Sequence, residues 1–401
     1  MTDSREMNRA QLLLVPGREK ALQRHHPWLF SGAIRRVVGS PAEGDLVDVL
    51  AADGRWMATG HYQTGTIACK ILSYETSTID EVFLRNRLLS AIEYRRRLGF
   101  FDNQADSNVF RLVHAEGDRL PGLICDWYNG VLVMQAHSVG MHRMFPELAP
   151  LFVELMKPYG ICSIFDKSSA TLPADSGVAD GYLWGTEPAE WEVVEHGNRL
   201  LINFFEGQKT GFFIDQRDNR HLVQQLAQGH RLLNCFGYTG GFSLAALRGG
   251  ADYVATVDVS KKAIELCNRN VALNFGDDKR HEGVVADVLK YLDTIDSGYD
   301  FIILDPPAFA KNHRSLQQGL KGYRSINQRA MEKIAAGGLL MTFSCSQAVS
   351  RDDFQTMLFT AAMNAGRHLR IVRQLPHAAD HPVSILHPEG EYLKGLLLQV
   401  E

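Results

Sequence analysis

The 401-residue sequence predicts an α/β protein in three regions. A β-rich module (1–75) comes first, then an α+β middle domain (76–190), then a doubly wound domain (191–401) with a seven-stranded mixed sheet and an antiparallel last strand. Three observations predict this. From about residue 205 near-continuous apolar runs alternate with helical patterns, as in a parallel sheet covered on both faces. Before residue 75 the apolar runs are short and separated by turn residues. The last two strand patterns, LRIVRQL and YLKGLLLQV, are joined by HAADHPVSILHPEGE, which carries no helical pattern, so they pair antiparallel.

Composition narrows the class. Hydrophobic residues are 45% and charged ones 22%, a globular balance, and the formal net charge of -4 shows no bulk basic character. A nucleic-acid partner would therefore need its Lys and Arg gathered on one face. Six cysteines without a CxxC pair read as reduced thiols, not as zinc ligands. The start MTDSREMNRAQLLLVP is too polar for a signal peptide and no window approaches a membrane span, so a cytoplasmic protein with no membrane association is expected.

In the first region LLLV, LFSGAI, EGDLVDVL, ADGRWMATGHY and TIACKILSY are short runs separated by turn residues; LVDVL and IACKILSY have the form of strands, and Asp53-Gly54 signals a tight turn. Lys20, Arg24, His25, His26, Arg35 and Arg36 form a basic cluster interleaved with Trp28 and Phe30. Such a set holds a phosphate backbone while an aromatic stacks on a base; the alternative is solvated charge around core aromatics. Residues 77–99 predict an amphipathic helix capped by Ser77 or Thr78 and ended by Gly99. Its apolar face is Val82, Leu84, Leu88, Leu89 and Ile92, and Arg85, Arg87, Arg95, Arg96 and Arg97 lie on its polar side. RLVHAEGDRLPGLICDWYNGVLVMQAHS reads as a hairpin, TLPADSGVADGYLWG as loop, and WEVVEHGNRLLINFFEG as a hairpin turning at His196-Gly197-Asn198.

The last region opens with the strand RLLNCF and the glycine-rich turn NCFGYTGGFSLAAL, whose Gly237, Gly240 and Gly241 let the backbone approach a ligand. The next strand ends at Asp258, placed to accept both hydroxyls of an adenosine ribose, and the third is followed by Asp287, placed to accept from an adenine amino group. Tyr238 stands where a dinucleotide loop would carry its second glycine. The loop therefore suits an adenosine cofactor without a pyrophosphate, S-adenosylmethionine. The alternative is that Asp258 and Asp287 only cap helices.

DFIILDPPAFAKN delivers Asp305 to a strand end, where Pro306 and Pro307 hold an extended turn and Phe309 stands near the mouth. This offers a carboxylate and a ring face to a flat base that is flipped out or unpaired. LLMTFSCS neighbours that strand in the inferred order, so Cys345 emerges beside Asp305. A thiolate adding to C6 of a pyrimidine makes C5 able to take a methyl group, while Asp305 meets N3 and the exocyclic amine. The alternative is a small buried thiol. No metal is expected, since a sulfonium carries its own leaving group.

These residues resemble the class I methyltransferases that modify cytosine C5 in large-subunit ribosomal RNA, and the resemblance covers nearly the whole chain. LLLVPGREKALQRHHPWLFSGAI is similar to the opening of that family's PUA domain. EGQKTGFFIDQRDNR is similar to its most distinctive string, matched at Lys209, Thr210, Gly211, Phe212, Asp215, Gln216 and Arg220. The resemblance implies S-adenosylmethionine contacts from Gln208, Thr210, Phe212, Asp215, Arg220, the loop Asn234, Phe236, Gly237, Tyr238, Thr239, Gly240 and Gly241, and Asp258 and Asp287. It implies base or RNA contacts from Pro306, Pro307, Phe309, Lys311, Lys209, Arg24, Trp28, Arg35 and Arg36, with Cys345 as nucleophile and Asp305 as its catalytic partner. It also implies a loop near the site from His387, Pro388 and Glu389. SIFDKSSATL departs from the YERSD-type stretch of relatives, so Asp166, Lys167, Ser168 and Ser169 leave that domain's RNA contacts open. The expected partner is large-subunit ribosomal RNA, with the oligomeric state open and a homodimer among the options. A uracil-C5 enzyme, a purine N-methyltransferase and a non-enzymatic RNA-binding assembly factor are the competing readings.

Overall fold

The structure, a computed structural model, describes residues 9–401; the polar start at residues 1–8 lies outside them. Two compact units emerge. The first takes the described residues up to Val193 together with Ile202–Phe212 and Ala379–Gly390, and the second takes Val194–Leu201, Phe213–Ala378 and Glu391–Glu401. The two N-terminal regions of the sequence thus share one unit.

Within the first unit β1 (Ala10–Leu14), β2 (Trp28–Phe30), β3 (Ile34–Val38), β4 (Leu46–Leu50), β5 (Trp56–Tyr62) and β6 (Ile67–Ser73) form a six-stranded sheet of order β2-β6-β5-β4-β1-β3, with the short helix α1 (Lys20–Gln23) after β1. Alternating side chains bury Leu12, Leu14, Val47, Val49 and Cys69 in one small core. Gly54, at φ 88°, makes the expected turn between β4 and β5.

A second sheet of order β11-β10-β9-β8-β7 follows α2 (Glu81–Arg97). Its strands are β7 (Val109–His114), β8 (Leu123–Tyr128), β9 (Val131–Ala136), β10 (Ser163–Asp166) and β11 (Gly181–Trp184), with α3 (Val139–Arg143) and α4 (Phe145–Met156) between β9 and β10. Two readings are corrected here. Gly181–Trp184 is not loop but an edge strand antiparallel to β10. In α2 the cap is Asp80, whose side chain accepts from Phe83 N, and not Ser77 or Thr78.

The helix also turns differently from its simple apolar pattern. Its inner face is Leu84, Leu88, Ala91, Ile92 and Arg95, while Val82 and Leu89 are exposed. Arg95 is fully buried because its fork is satisfied: Nη1 donates to Asp118 at 2.6 Å, Nε to the Arg111 carbonyl at 2.8 Å and Nη2 to the Asp380 carbonyl at 2.7 Å.

The hairpin β12 (Glu190–Glu195) and β13 (Asn198–Asn203) turns at His196 and Gly197, with φ of 47° and 73°, the left-handed pair a two-residue hairpin needs. In the second unit α5 (Arg217–Leu226), β14 (Arg231–Cys235), α6 (Gly241–Arg248), β15 (Tyr253–Asp258), α7 (Lys261–Phe275), β16 (His281–Val285), α8 (Val288–Thr294), β17 (Phe301–Leu304), α9 (Leu316–Lys333), β18 (Gly338–Ser344), α10 (Arg351–Ala365), β19 (Leu369–Leu375) and β20 (Lys394–Val400) follow in turn. The seven strands have the order β16-β15-β14-β17-β18-β20-β19. The first five are parallel, and β20 lies antiparallel between β18 and β19. Leu233, Val257, Ile302, Leu340 and Leu398 are buried in one core against the helices, so chemistry is confined to the strand ends.

Candidate active site

Parallel register sets one row across the sheet: Val257, Cys235, Leu304 and Thr342 are successive partners. One residue beyond the row stand Asp258 and Asp305, and three beyond it stands Cys345. All three therefore sit at the same carboxyl edge.

The glycine loop owes its shape to its neighbours in the protein. A Cβ on Gly237 would lie 2.4 Å from the Thr256 methyl, and one on Gly240 the same distance from Cys267 Sγ, at a φ of +84°. The two glycines are thus required by internal packing as well as by any ligand. Phe236 and Tyr238 also have positive φ, 59° and 45°, a conformation costing bulky residues of order 1 kcal/mol or more. Tyr238 N donates to Asp258 Oδ2 at 3.0 Å and Ser260 N to Oδ1 at 2.8 Å, which pins the loop against the end of β15. Each carboxylate oxygen keeps a lone pair for a further donor, so the site fits a diol. Beneath the loop, Asn234 donates to Ser243 at 2.9 Å and Thr239 offers its carbonyl to Asn270 at 3.0 Å; both are buried. Those two residues hold the loop from below. Asp287 is exposed and caps α8 by accepting from Lys290 N at 3.0 Å, as the helix-cap alternative expected.

Asp305 is part-buried, and Gln216 Nε2 donates to its Oδ1 at 3.0 Å. Gln216 is in turn oriented by Asn219, whose Nδ2 donates to Gln216 Oε1 at 2.6 Å. Gln216 matches the family string without an implied contact of its own, and Asn219, in the same FFIDQRDNR, carries no expectation from the sequence. Cys345 is part-buried with Sγ 3.8 Å from the Pro306 carbonyl oxygen, whereas Cys69, Cys125, Cys235 and Cys267 are buried. Burial pushes the Cys267 thiol up to about 12. The two loops are stitched together at Ser346, whose Oγ accepts from Ala310 N at 3.1 Å and bonds the Tyr323 hydroxyl at 2.8 Å. Tyr323 also accepts from Phe309 N at 3.3 Å, and its ring packs tilted against that of Phe309 with centroids 4.7 Å apart. Pro307 and Lys311 are exposed and Pro306 is buried.

Other candidates have internal employment. Arg220 is buried in a forked ion pair with Glu195, at 2.5 and 2.7 Å, and donates to the Phe213 carbonyl at 2.9 Å. Asp215 is buried and accepts from the Tyr392 hydroxyl at 2.7 Å. Gln208, Lys209, Thr210 and Phe212 belong to the first unit. There Thr210 donates to Asp126 at 2.5 Å and bonds Tyr128 at 2.9 Å, and Phe212 is 3% exposed. In the DKSS stretch Lys167 Nζ donates to the carbonyls of Phe204 and Gly207, each at 2.6 Å, and Asp166 pairs with His142 at 2.8 Å.

The remaining first-unit candidates divide. Trp28 is half-buried: its Nε1 donates to Glu116 at 2.8 Å and its ring meets His387 in a T-shaped contact at 4.3 Å. His26 pairs with Glu389 at 3.2 Å. His387 and Glu389 thus pack with the N-terminal module, within the first unit. Arg24, Arg35, Arg36 and Phe30 are exposed.

Residues 172–396 match the family model of S-adenosylmethionine-dependent methyltransferases, and residues 12–74 match that of PUA-like domains. The chain is 38% identical over 398 residues to ribosomal RNA large subunit methyltransferase I of Escherichia coli (strain SMS-3-5 / SECEC), covering 97% of this chain and 99% of that protein. It is 39% identical to the protein of the same name in Shigella dysenteriae serotype 1 (strain Sd197), covering 97% and 98%. Among solved structures, a chain from Streptococcus mutans assigned as a SAM-dependent methyltransferase aligns with TM-score 0.83 at 20% identity, covering 97% of this chain and 99% of that one. A second, assigned as a methyltransferase and complexed with SAH, aligns at 0.84 and 21%, again covering 97% and 99%. At these identities the likeness is one of fold.

Proposed function

Because the chain belongs to the family of S-adenosylmethionine-dependent methyltransferases, we propose that it methylates C5 of a cytosine in large-subunit ribosomal RNA through a covalent bond to Cys345. One observation carries the choice of a ring carbon. A part-exposed thiol at the end of β18 stands 3.8 Å from the carbonyl that follows Asp305, and transfer to an amine would leave that thiol idle.

The residues act in a definite order. The Cys345 thiolate bonds to C6, and the displaced electron pair enters the ring and makes C5 nucleophilic. Asp305 accepts from the exocyclic amine and shares a proton with N3, offsetting the charge that addition places on the ring. S-adenosylmethionine, when bound, supplies a methyl group on a sulfonium. Once C5 carries the methyl, its proton passes to a base such as water, the C5–H electron pair re-forms the C5–C6 double bond, and the C6–S bond breaks to restore the thiolate. Asp258, with the loop Phe236–Gly241, is proposed to hold the ribose, and Asp287 the adenine edge. Phe309 and Pro307 are proposed to face the base. Arg24, Arg35, Arg36 and Phe30 are proposed to meet the RNA, whose backbone needs such cations. The relatives' names point to a ribosomal substrate and so to the cytoplasm.

Trapping tests this. RNA containing 5-fluorocytosine, with S-adenosylmethionine, should leave a denaturant-resistant adduct on Cys345 because fluorine cannot leave as a proton does. Cys345→Ala should give neither adduct nor product. An adduct only with 5-fluorouracil would move the target to uracil, and full methylation by Cys345→Ala would end the covalent mechanism.

A further inference from the structure

A buried cation holds the turn that carries Cys345. In the antiparallel pairing of β18 with β20, Ser344 is opposite Lys394, so the lysine enters the sheet alongside the residue that precedes Cys345. Its residue is 4% exposed. Nζ donates to the carbonyls of Ser346 and Tyr392, each at 2.7 Å, and so clasps the turn on the far side of Cys345.

What is missing around this ammonium is a carboxylate. Both hydrogen bonds go to neutral carbonyls, and of its three donors the third has no acceptor among the described residues. Glu391 raises the lysine's proton affinity through charge, but that acid is committed to Arg351 in an ion pair. Burying an ammonium without an anion is costly, and leucine or methionine in β20 would fill the strand without that cost. The group whose negative form most raises this lysine's proton affinity is Cys345, ahead of Glu391. Against it, burial brings the ammonium down to about 8.

We propose that Lys394 is a positioning residue whose ammonium holds the turn after Cys345 and stabilises the Cys345 sulfur as the thiolate. No new covalent bond is required: the thiol proton leaves to water and the lysine keeps its own three. Four neighbouring groups supply no free positive charge. Asp305 at the end of β17 and Glu391 before β20 carry the same sign as a thiolate. Arg351 of α10 is taken by Glu391, and Tyr323 of α9 is kept neutral by burial. The proposal rests on reading Cys345 as the attacking atom, yet it is measured without RNA.

The rate of Cys345 alkylation by iodoacetamide, located by peptide mass, is followed from pH 5.5 to 10 in the full-length protein. Reactivity tracks the thiolate fraction. In Lys394→Met the midpoint should rise by at least about one pH unit, so that alkylation at pH 7 falls about tenfold or more, and Lys394→Arg should keep most of the wild-type profile. Superimposed profiles of wild type and Lys394→Met overturn the proposal. If circular dichroism shows Lys394→Met unfolded, the wild-type midpoint decides: below the ordinary thiol value of about 8.5 it supports the proposal, and at or above it overturns it. A missing 5-fluorocytosine adduct would instead remove the nucleophile reading and leave this titration standing.

Discussion

Substituting Gln216 tests whether Asp305 works as an oriented carboxylate. The side-chain amide of Gln216 is 2% exposed and donates to Asp305 Oδ1 at 3.0 Å, while Asn219 fixes its other end at 2.6 Å, so Nε2 has only one way to face. A hydrogen bond to a charged acceptor contributes about 1.5–3 kcal/mol. If that orientation is realised fully in the transition state, Gln216→Ala should lower single-turnover methyl transfer by roughly ten- to a hundredfold, since each ~1.4 kcal/mol is a factor of ten. Gln216→Glu sets a second carboxylate against Asp305 and should cost more. The assay is transfer of labelled methyl from S-adenosylmethionine to unmodified RNA under single-turnover conditions, with cofactor affinity measured by calorimetry on the same protein. Asp258, not Gln216, lies at the cofactor loop, so affinity should stay within about twofold (a difference of under ~0.5 kcal/mol). A Gln216→Ala enzyme that transfers at the wild-type rate, or that loses cofactor affinity in step with rate, would refute the assignment of Asp305 to the base.

Two further outcomes follow from buried groups. Gly240→Ala should cost about 2–5 kcal/mol, combining about 1–2 for a left-handed residue with about 1–3 for overpacking against Cys267. Adding Cys267→Ala should recover the second part, and a double-mutant cycle in urea showing no coupling would contradict the packing account. In the first unit, His61 and His137 are each held down to about 4, by burial foremost and then by Lys70, with Arg143 and Arg111 adding respectively. Their folded values lie below the unfolded ~6.5, so the unfolded chain binds more protons between pH 6.5 and 4, and stability falls as pH drops through that window. The loss is about 2 kcal/mol per ring by pH 5. NMR titration showing either ring protonating near pH 6.5 would refute it.

The strand-end placement of Asp305 and Cys345 was legible because it depends on short-range rules. An apolar run ending in Asp305-Pro306-Pro307 stops a strand and exposes an acid whatever surrounds it, and the βα order placed LLMTFSCS beside it, which the pairing of Leu304 with Thr342 realises. The glycine loop was visible for a related reason: backbone at positive φ with a neighbour 2.4 Å from the missing Cβ admits few other residues. The residues that escaped are those whose partners lie far along the chain. Arg95 looks like surface charge in a helix wheel, and only the arrival of Asp118 and of the Asp380 carbonyl, 285 residues away, lets it enter the core. Arg220 reads in the sequence as one more residue of a family string, and only the fold brings Glu195 against its Nε and Nη2.

By itself, then, the sequence determined the alternation of strands and helices from about residue 205, the glycine loop, and the arrival of Asp305 and Cys345 at one edge of the sheet. Tertiary structure decided which cations are buried, which acids they meet, and that Lys394 holds the turn after Cys345 and Gln216 meets Asp305. The physical reason is that local patterns follow from backbone sterics and from the spacing of apolar residues, whereas the fate of a charge depends on burial and on partners that only the folded chain brings together.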